Sequence, residues 1–130
     1  MTNVVADTHA LVWHLSDPRR LGKAARRAFA AADAGRWTCH VPVIALVEIA
    51  LLQERGRIRL GPAQVLDALA GHPGYNVLPL DLAQALEFGA LPAVRDPMDR
   101  LVLAAARVTG ARVISVDDVL DGYGVERLWE

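Results

Sequence analysis

Apolar residues recur along the chain in two rhythms. Short runs rich in aliphatic and β-branched residues read as strands: "NVVA" (3–6), "WTCHV" (37–41), "YNVLPL" (75–80), "ARVISV" (111–116) and, last, "GVERLW" (124–129). Between them lie stretches with apolar residues at helical spacing. "THALVWHL" is a short helix stopped by "SDPRR", and "LGKAARRAFAAADAG" is an alanine-rich helix closed by Gly35. "PVIALVEIALLQERG" opens on Pro42 and ends at Gly56. "PAQVLDALAG", "DLAQALEFGA" and "DPMDRLVLAAARVTG" complete the set, the last closed by Gly110. Strands that alternate with helices predict a three-layer α/β/α domain with a mainly parallel central sheet, one domain over residues 1–130. Ligands of such sheets bind beyond the carboxyl ends of the strands, where neighbouring connections diverge.

Composition narrows this picture. With 53% hydrophobic and 22% charged residues the chain is globular rather than disordered. Its net charge of −1 gives no global basic field, so any nucleic-acid binding must rest on local patches. Cys39 is the only cysteine and reads as a small buried strand residue. No apolar run approaches the roughly 20 residues of a membrane span, and the first residues lack the cationic lead of a signal peptide. A cytoplasmic protein without a membrane partner is expected. Lys23 is the one lysine among 14 basic residues, which disfavours an aspartyl-nucleophile phosphatase with a lysine at its centre.

The acids carry the candidate chemistry. Asp7 follows the first strand directly, and Asp117 and Asp118 follow the fourth. Glu48 is the only charge inside "VIALVEIALL", and a carboxylate among such neighbours costs several kcal/mol unless it is paired, protonated or metal-bound. Asp96 and Asp99 stand one helical turn apart in "RDPMDRLVLAAA". Each has an ordinary alternative: Asp7 and Asp117 as caps, Glu48 in a salt bridge, and "Asp-Pro-Met-Asp" as an N-cap, a first-position proline and a third-position acid. Jointly they are harder to dismiss, because a parallel sheet brings strand ends and helix mouths to one edge. Carboxylates gathered there repel one another unless a hard divalent cation such as Mg²⁺ or Mn²⁺ sits among them. The chain has no phosphate-binding glycine loop, no GxSxG, no HExxH and no paired cysteines. His9, His14, His40 and His72 lack zinc-site spacing. His9, two residues past Asp7, is within reach of a site entrance, although a polar patch on the first helix accounts for it and for His14.

The ordered set "VVADTHALVW", "VIALVEIALL", "RDPMDRLVLAAA" and "VISVDD", spread over residues 3–128, resembles the PIN domain. More closely it resembles the toxin component of VapBC toxin–antitoxin modules. The resemblance implies a metal-dependent (Mg²⁺ or Mn²⁺) ribonuclease with an acidic site, a cognate VapB-type antitoxin that places a basic group in that site, and a homodimer or toxin–antitoxin hetero-oligomer. Asp7 matches the first family acid, Glu48 the second, Asp99 the third and Asp117 the fourth, while Asp96 matches a subgroup acid one turn earlier. Where the family ends in T-x-D, this chain reads Ser115-Val116-Asp117, a departure that keeps the hydroxyl.

On this basis Asp7 and Asp99 are expected to ligate the metal directly. Glu48 binds it through water or positions the attacking water, and Asp117 completes the cluster or helps hold a second ion. Asp96 is an alternative or outer ligand, and Thr8 and Ser115 are nearby hydrogen-bond donors. Arg19, Arg20, Arg26, Arg27, Arg55, Arg57 and Arg59 offer phosphate contacts, whereas Arg95 and Arg100 are placed to contact either phosphate or the acids. Two other readings stay open: a nuclease of this fold in RNA or DNA processing that is no toxin, and an inactive binding module whose acids are only caps.

Overall fold

The computed structural model describes residues 2–130. Strand β1 (Asn3–Ala6) leads into helix α1 (Thr8–Ser16), a 3₁₀ turn at Pro18–Arg20, and helix α2 (Lys23–Asp33). Strand β2 (Thr38–Pro42) leads into α3 (Val43–Glu54) and α4 (Pro62–Ala70). Strand β3 (Tyr75–Leu78) is followed by α5 (Leu82–Gly89) and α6 (Pro97–Thr109), and β4 (Arg112–Ile114) by a 3₁₀ turn at Asp118–Leu120 and β5 (Arg127–Leu128). All strand pairs are parallel, in the order β3-β2-β1-β4-β5. The chain runs outward from β1 to β3, then returns through α6 to lay β4 on the other side of β1. The divergence between β1 and β4 is where such a sheet opens a crevice at its carboxyl edge.

Strand alternation separates two cores. Val4 and Ala6 pack with Leu11 of α1, Phe29 of α2, Ile49 of α3 and Val65 of α4. Val5 and Val113 face the other way, onto Val102, Leu103 and Ala106 of α6. The three layers are therefore α1–α4, the sheet, and α5 with α6. Phe29, Leu11, Ile49, Leu103 and Ile114 are fully buried, each contributing about 1.5–3 kcal/mol from the area withdrawn from water.

The sheet is wholly parallel rather than mainly so, and its last strands are shorter than the apolar runs that predict them. β4 stops at Ile114 because β1, its inner partner, ends there: the Asp7 amide donates to the Ile114 carbonyl at 3.1 Å as the chain enters α1. β5 keeps only two residues, paired to Val113 and Ile114. Cys39 is fully buried and reduced, its thiol pushed up to about 12 by burial, a structural residue as expected.

Candidate active site

A pocket of about 530 Å³ lies at the carboxyl edge of the sheet and is lined by Asp7, Glu48, Asp96, Asp99, Asp117 and Asp118. Thr8, His9 and Trp13 of α1, Met98 and Val102 of α6, and Val116 complete it. All five acids expected at the site thus share one cavity, drawn from the β1–α1 junction, α3, the mouth of α6 and the loop after β4.

Asp7 is fixed on both oxygens. One accepts the Ala10 amide at 2.9 Å, which caps α1, and the other accepts the buried Ser115 hydroxyl. The same Ser115 oxygen accepts the Asp117 amide at 3.0 Å, so one hydroxyl ties the first and fourth acids together. Burial raises the Asp7 carboxyl above its usual range, while the bonds from Ser115 and Ala10 and the charge of His9 oppose that shift.

Asp96 is the N-cap of α6, accepting the amides of Met98 at 2.8 Å and Asp99 at 3.1 Å, with Pro97 in the first position. The capping reading of "Asp-Pro-Met-Asp" therefore holds for Asp96, which is exposed at the rim. Asp99, in the first turn of α6, caps nothing. Its carboxyl is pushed up to about 7, first by burial, then by the charges of Asp117, Asp96 and Asp7, and by a hydrogen bond with Asp117 that favours the protonated form. Glu48 is half-buried on α3 and has no ion pair among the described residues, so the salt-bridge alternative is not what the fold builds.

Asp117 departs from the expected symmetry with Asp7. It stands three residues beyond β4, on a turn, where it caps the 3₁₀ segment by accepting the Val119 amide at 3.2 Å. Arg127 braces this turn: it donates to the Ser115 carbonyl at 3.2 Å and to both oxygens of Asp121 at 2.9 and 3.1 Å. Nothing in the sequence around "VERLW" signals that role. Arg100 turns away from the acids, donating to the Phe88 carbonyl at 2.9 Å and lying 4.1 Å over the Phe88 ring, while Arg95 is exposed. Of the histidines, His9 alone lines the pocket. His14 stacks on Phe29 and reaches Asp33 and Tyr75, His40 lies between Asn3 and Asn76, and His72 contacts the Asp33 carbonyl.

No three acidic, histidine or cysteine side chains among the described residues already form a metal cage. The donor set nevertheless fits a hard divalent cation. It is all oxygen, bears no neutralising lysine or arginine on the lining, and surrounds a space large enough for a partly hydrated ion. Mg²⁺ ordinarily takes one or two carboxylates and keeps several waters, so a complete protein cage is not required. Burial accounts for the largest part of the rise at Asp99, and the neighbouring charges of Asp117, Asp96 and Asp7 add a part that such an ion would offset.

A three-layer parallel fold with acids gathered at its switch point is the architecture of a PIN domain, and the PIN domain family model matches residues 4–125: the chain belongs to that family. Within it, the chain is 35% identical over 122 residues to Ribonuclease VapC22 of Mycobacterium tuberculosis, covering 90% of this chain and 88% of that protein. Among solved structures it is similar to VapBC2 from Rickettsia felis bound to a promoter DNA fragment, with a TM-score of 0.76 at 11% identity over 99% of this chain and 100% of that one. Mycobacterium tuberculosis VapC20, a toxin that cleaves the sarcin-ricin loop, matches with a TM-score of 0.65 at 17% identity over 98% and 99% of the two chains. At these identities the two structures speak to the fold alone.

Proposed function

We propose that this chain is a metal-dependent endoribonuclease, the VapC-type toxin of a type II toxin–antitoxin module, which cleaves cellular RNA in the cytoplasm. The carrying observation is the single pocket into which four separate parts of the chain deliver carboxylates. The 35% identity to Ribonuclease VapC22 supports RNA as the substrate class. A cognate VapB-type antitoxin as inhibitor, and a homodimer or toxin–antitoxin hetero-oligomer as the assembly, rest on the likeness to VapBC structures and on the family resemblance. No helix of the described residues is long and apolar enough to cross a membrane.

In this reading Asp7 and Asp99 hold the ion. Asp7 is oriented for it by Ala10 and Ser115, and Asp99 is held over the pocket by the first turn of α6. Glu48, without an ion pair among the described residues, orients the attacking water from the facing helix. Asp117, positioned by Ser115, completes the negative rim, and Asp96 stands outside it as the α6 cap. Bound Mg²⁺ or Mn²⁺ supplies acidification of water and offsets charge that develops on the phosphate. Asp99 must shed its proton to serve as a ligand, and its position near neutrality makes that proton a competitor of the metal.

The test is cleavage of total RNA by purified protein with Mn²⁺, with Mg²⁺ and with EDTA, beside Asp99→Asn prepared identically. Cleavage that requires metal and is lost in Asp99→Asn is the expected result. Equal cleavage by both proteins, or none by the wild type, sinks the assignment.

A further inference from the structure

The acids explain how a cation is held but not how RNA is. Six carboxylates and no arginine or lysine are among the lining residues, so the side chains there give a phosphate backbone no affinity of their own. The wall supplied by α1 is aromatic instead. His9 and Trp13 stand one helical turn apart, both line the pocket, and their rings lie 5.9 Å apart at 54°. His9 is exposed and Trp13 half-buried. Trp13 is held by two neighbours: the Trp129 ring meets it edge-on at 5.8 Å, and the Arg20 guanidinium lies 4.2 Å over it. Packing alone would account for a tryptophan against Trp129, but not for an aromatic pair that faces an acidic cavity from the helix that Asp7 caps. Because Asp7 caps the helix that carries His9 and Trp13, a ring seated on this wall lies next to the carboxylate proposed to hold the ion.

We propose that the His9–Trp13 wall, flanked by Arg20, is a nucleobase subsite that stacks the base next to the scissile phosphate and so sets substrate register. The proposal rests on the ribonuclease reading. Stacking is independent of charge, so it works beside carboxylates where phosphate contacts fail, and the Arg20 guanidinium adds a second planar surface with a positive charge at the edge of the site.

The test compares two probes: a fluorescein-labelled 12-nucleotide oligoadenylate RNA and a ribose-phosphate strand of the same length without bases. Binding is read by anisotropy in EDTA, where the RNA survives, for the wild-type chain and each variant alike. The base-bearing strand is expected to bind roughly tenfold or more tighter than the abasic one. That preference falls to near unity in Trp13→Ala, survives in Trp13→Phe, and is reduced in His9→Ala and Arg20→Ala, two exposed positions whose replacement leaves the core intact. A preference unchanged by these substitutions overturns the proposal. So does equal binding of both strands, or binding of neither, or an effect confined to inhibition by an antitoxin. Metal-dependent cleavage by the wild-type chain is followed in parallel. Its absence defeats the ribonuclease reading, whereas the base preference is read from binding alone.

Discussion

Asp7 performs two tasks with one carboxylate: it caps α1 and faces the acid pocket. Capping uses one lone pair per oxygen at most, so a carboxylate can start a helix and still present electrons to a cation. Asp99 is the contrasting case, an acid with no structural bond to keep it ionised. Its carboxyl, at about 7, lies above the model-peptide value of 3.8. The folded state therefore holds a proton that the unfolded chain has released, and the sign follows: metal-free stability falls as pH rises from about 4 to about 7, then levels. Burial drives Asp7 in the same direction. Asp99→Asn removes one charge from the cluster, so in EDTA its Tm should equal that of the wild type near pH 4 and exceed it by a few degrees at pH 8. Thermal melts across this range check it, and parallel pH profiles of the two proteins would show that Asp99 is not the titrating group.

At the scale of elements, the loop after β4 is built around Ser115. Ser115→Ala deletes the hydroxyl that donates to Asp7 and accepts from the Asp117 amide, in a fully buried position. It should cost about 1–3 kcal/mol of stability and lower activity as well, while Ser115→Thr, which keeps the hydroxyl, should remain near wild type. Denaturant midpoints and cleavage rates separate the two. Gly22 governs another junction. A Cβ there would lie 2.0 Å from the Trp129 carbonyl oxygen, the same oxygen that accepts the Ala24 and Ala25 amides at the start of α2. Gly22→Ala should therefore push the C-terminal segment off α2, destabilising by about 1–3 kcal/mol and loosening the contact of Trp129 with Trp13. A Tm within a degree of wild type would refute this. The helices were legible in the sequence because their apolar spacing, prolines and closing glycines agree: α6 runs from its Asp96 cap to Gly110 in the left-handed region, at a φ of 64°. Strand lengths were less legible. The aliphatic run 111–116 continues past the point where β1 stops offering backbone partners, and only the paired strand carries that information.

At the scale of the molecule, the acids are scattered from residue 7 to residue 118 and are gathered by one topological event, the reversal of strand order at β1. Their chemical type and their places at strand ends and helix mouths were visible in the chain, which is why the acidic site could be anticipated. The Arg127 brace, the departure of Arg100 toward Phe88 and the seating of Trp129 on Trp13 were not, because each depends on contacts between separate segments that no local spacing encodes. The same gathering links metal binding to folding. An unfolded chain keeps these carboxylates apart, so a divalent ion held as proposed would bind the folded state selectively and stabilise it by mass action. At a metal concentration ten times Kd the gain is about 1.4 kcal/mol, a rise of roughly 5 °C for a chain of this length. The wild type should show this rise with Mn²⁺ at pH 8 and a smaller one at pH 5, where protons occupy Asp99. Asp99→Asn begins from the higher metal-free Tm but should gain little, so the two melting curves exchange order when Mn²⁺ is added. Repulsion alone cannot produce that exchange, since it leaves the variant at least as stable as the wild type under every condition. A shift of equal size in both proteins would remove Asp99 from the ligand set and leave Asp7, Glu48 and Asp117 to hold the ion.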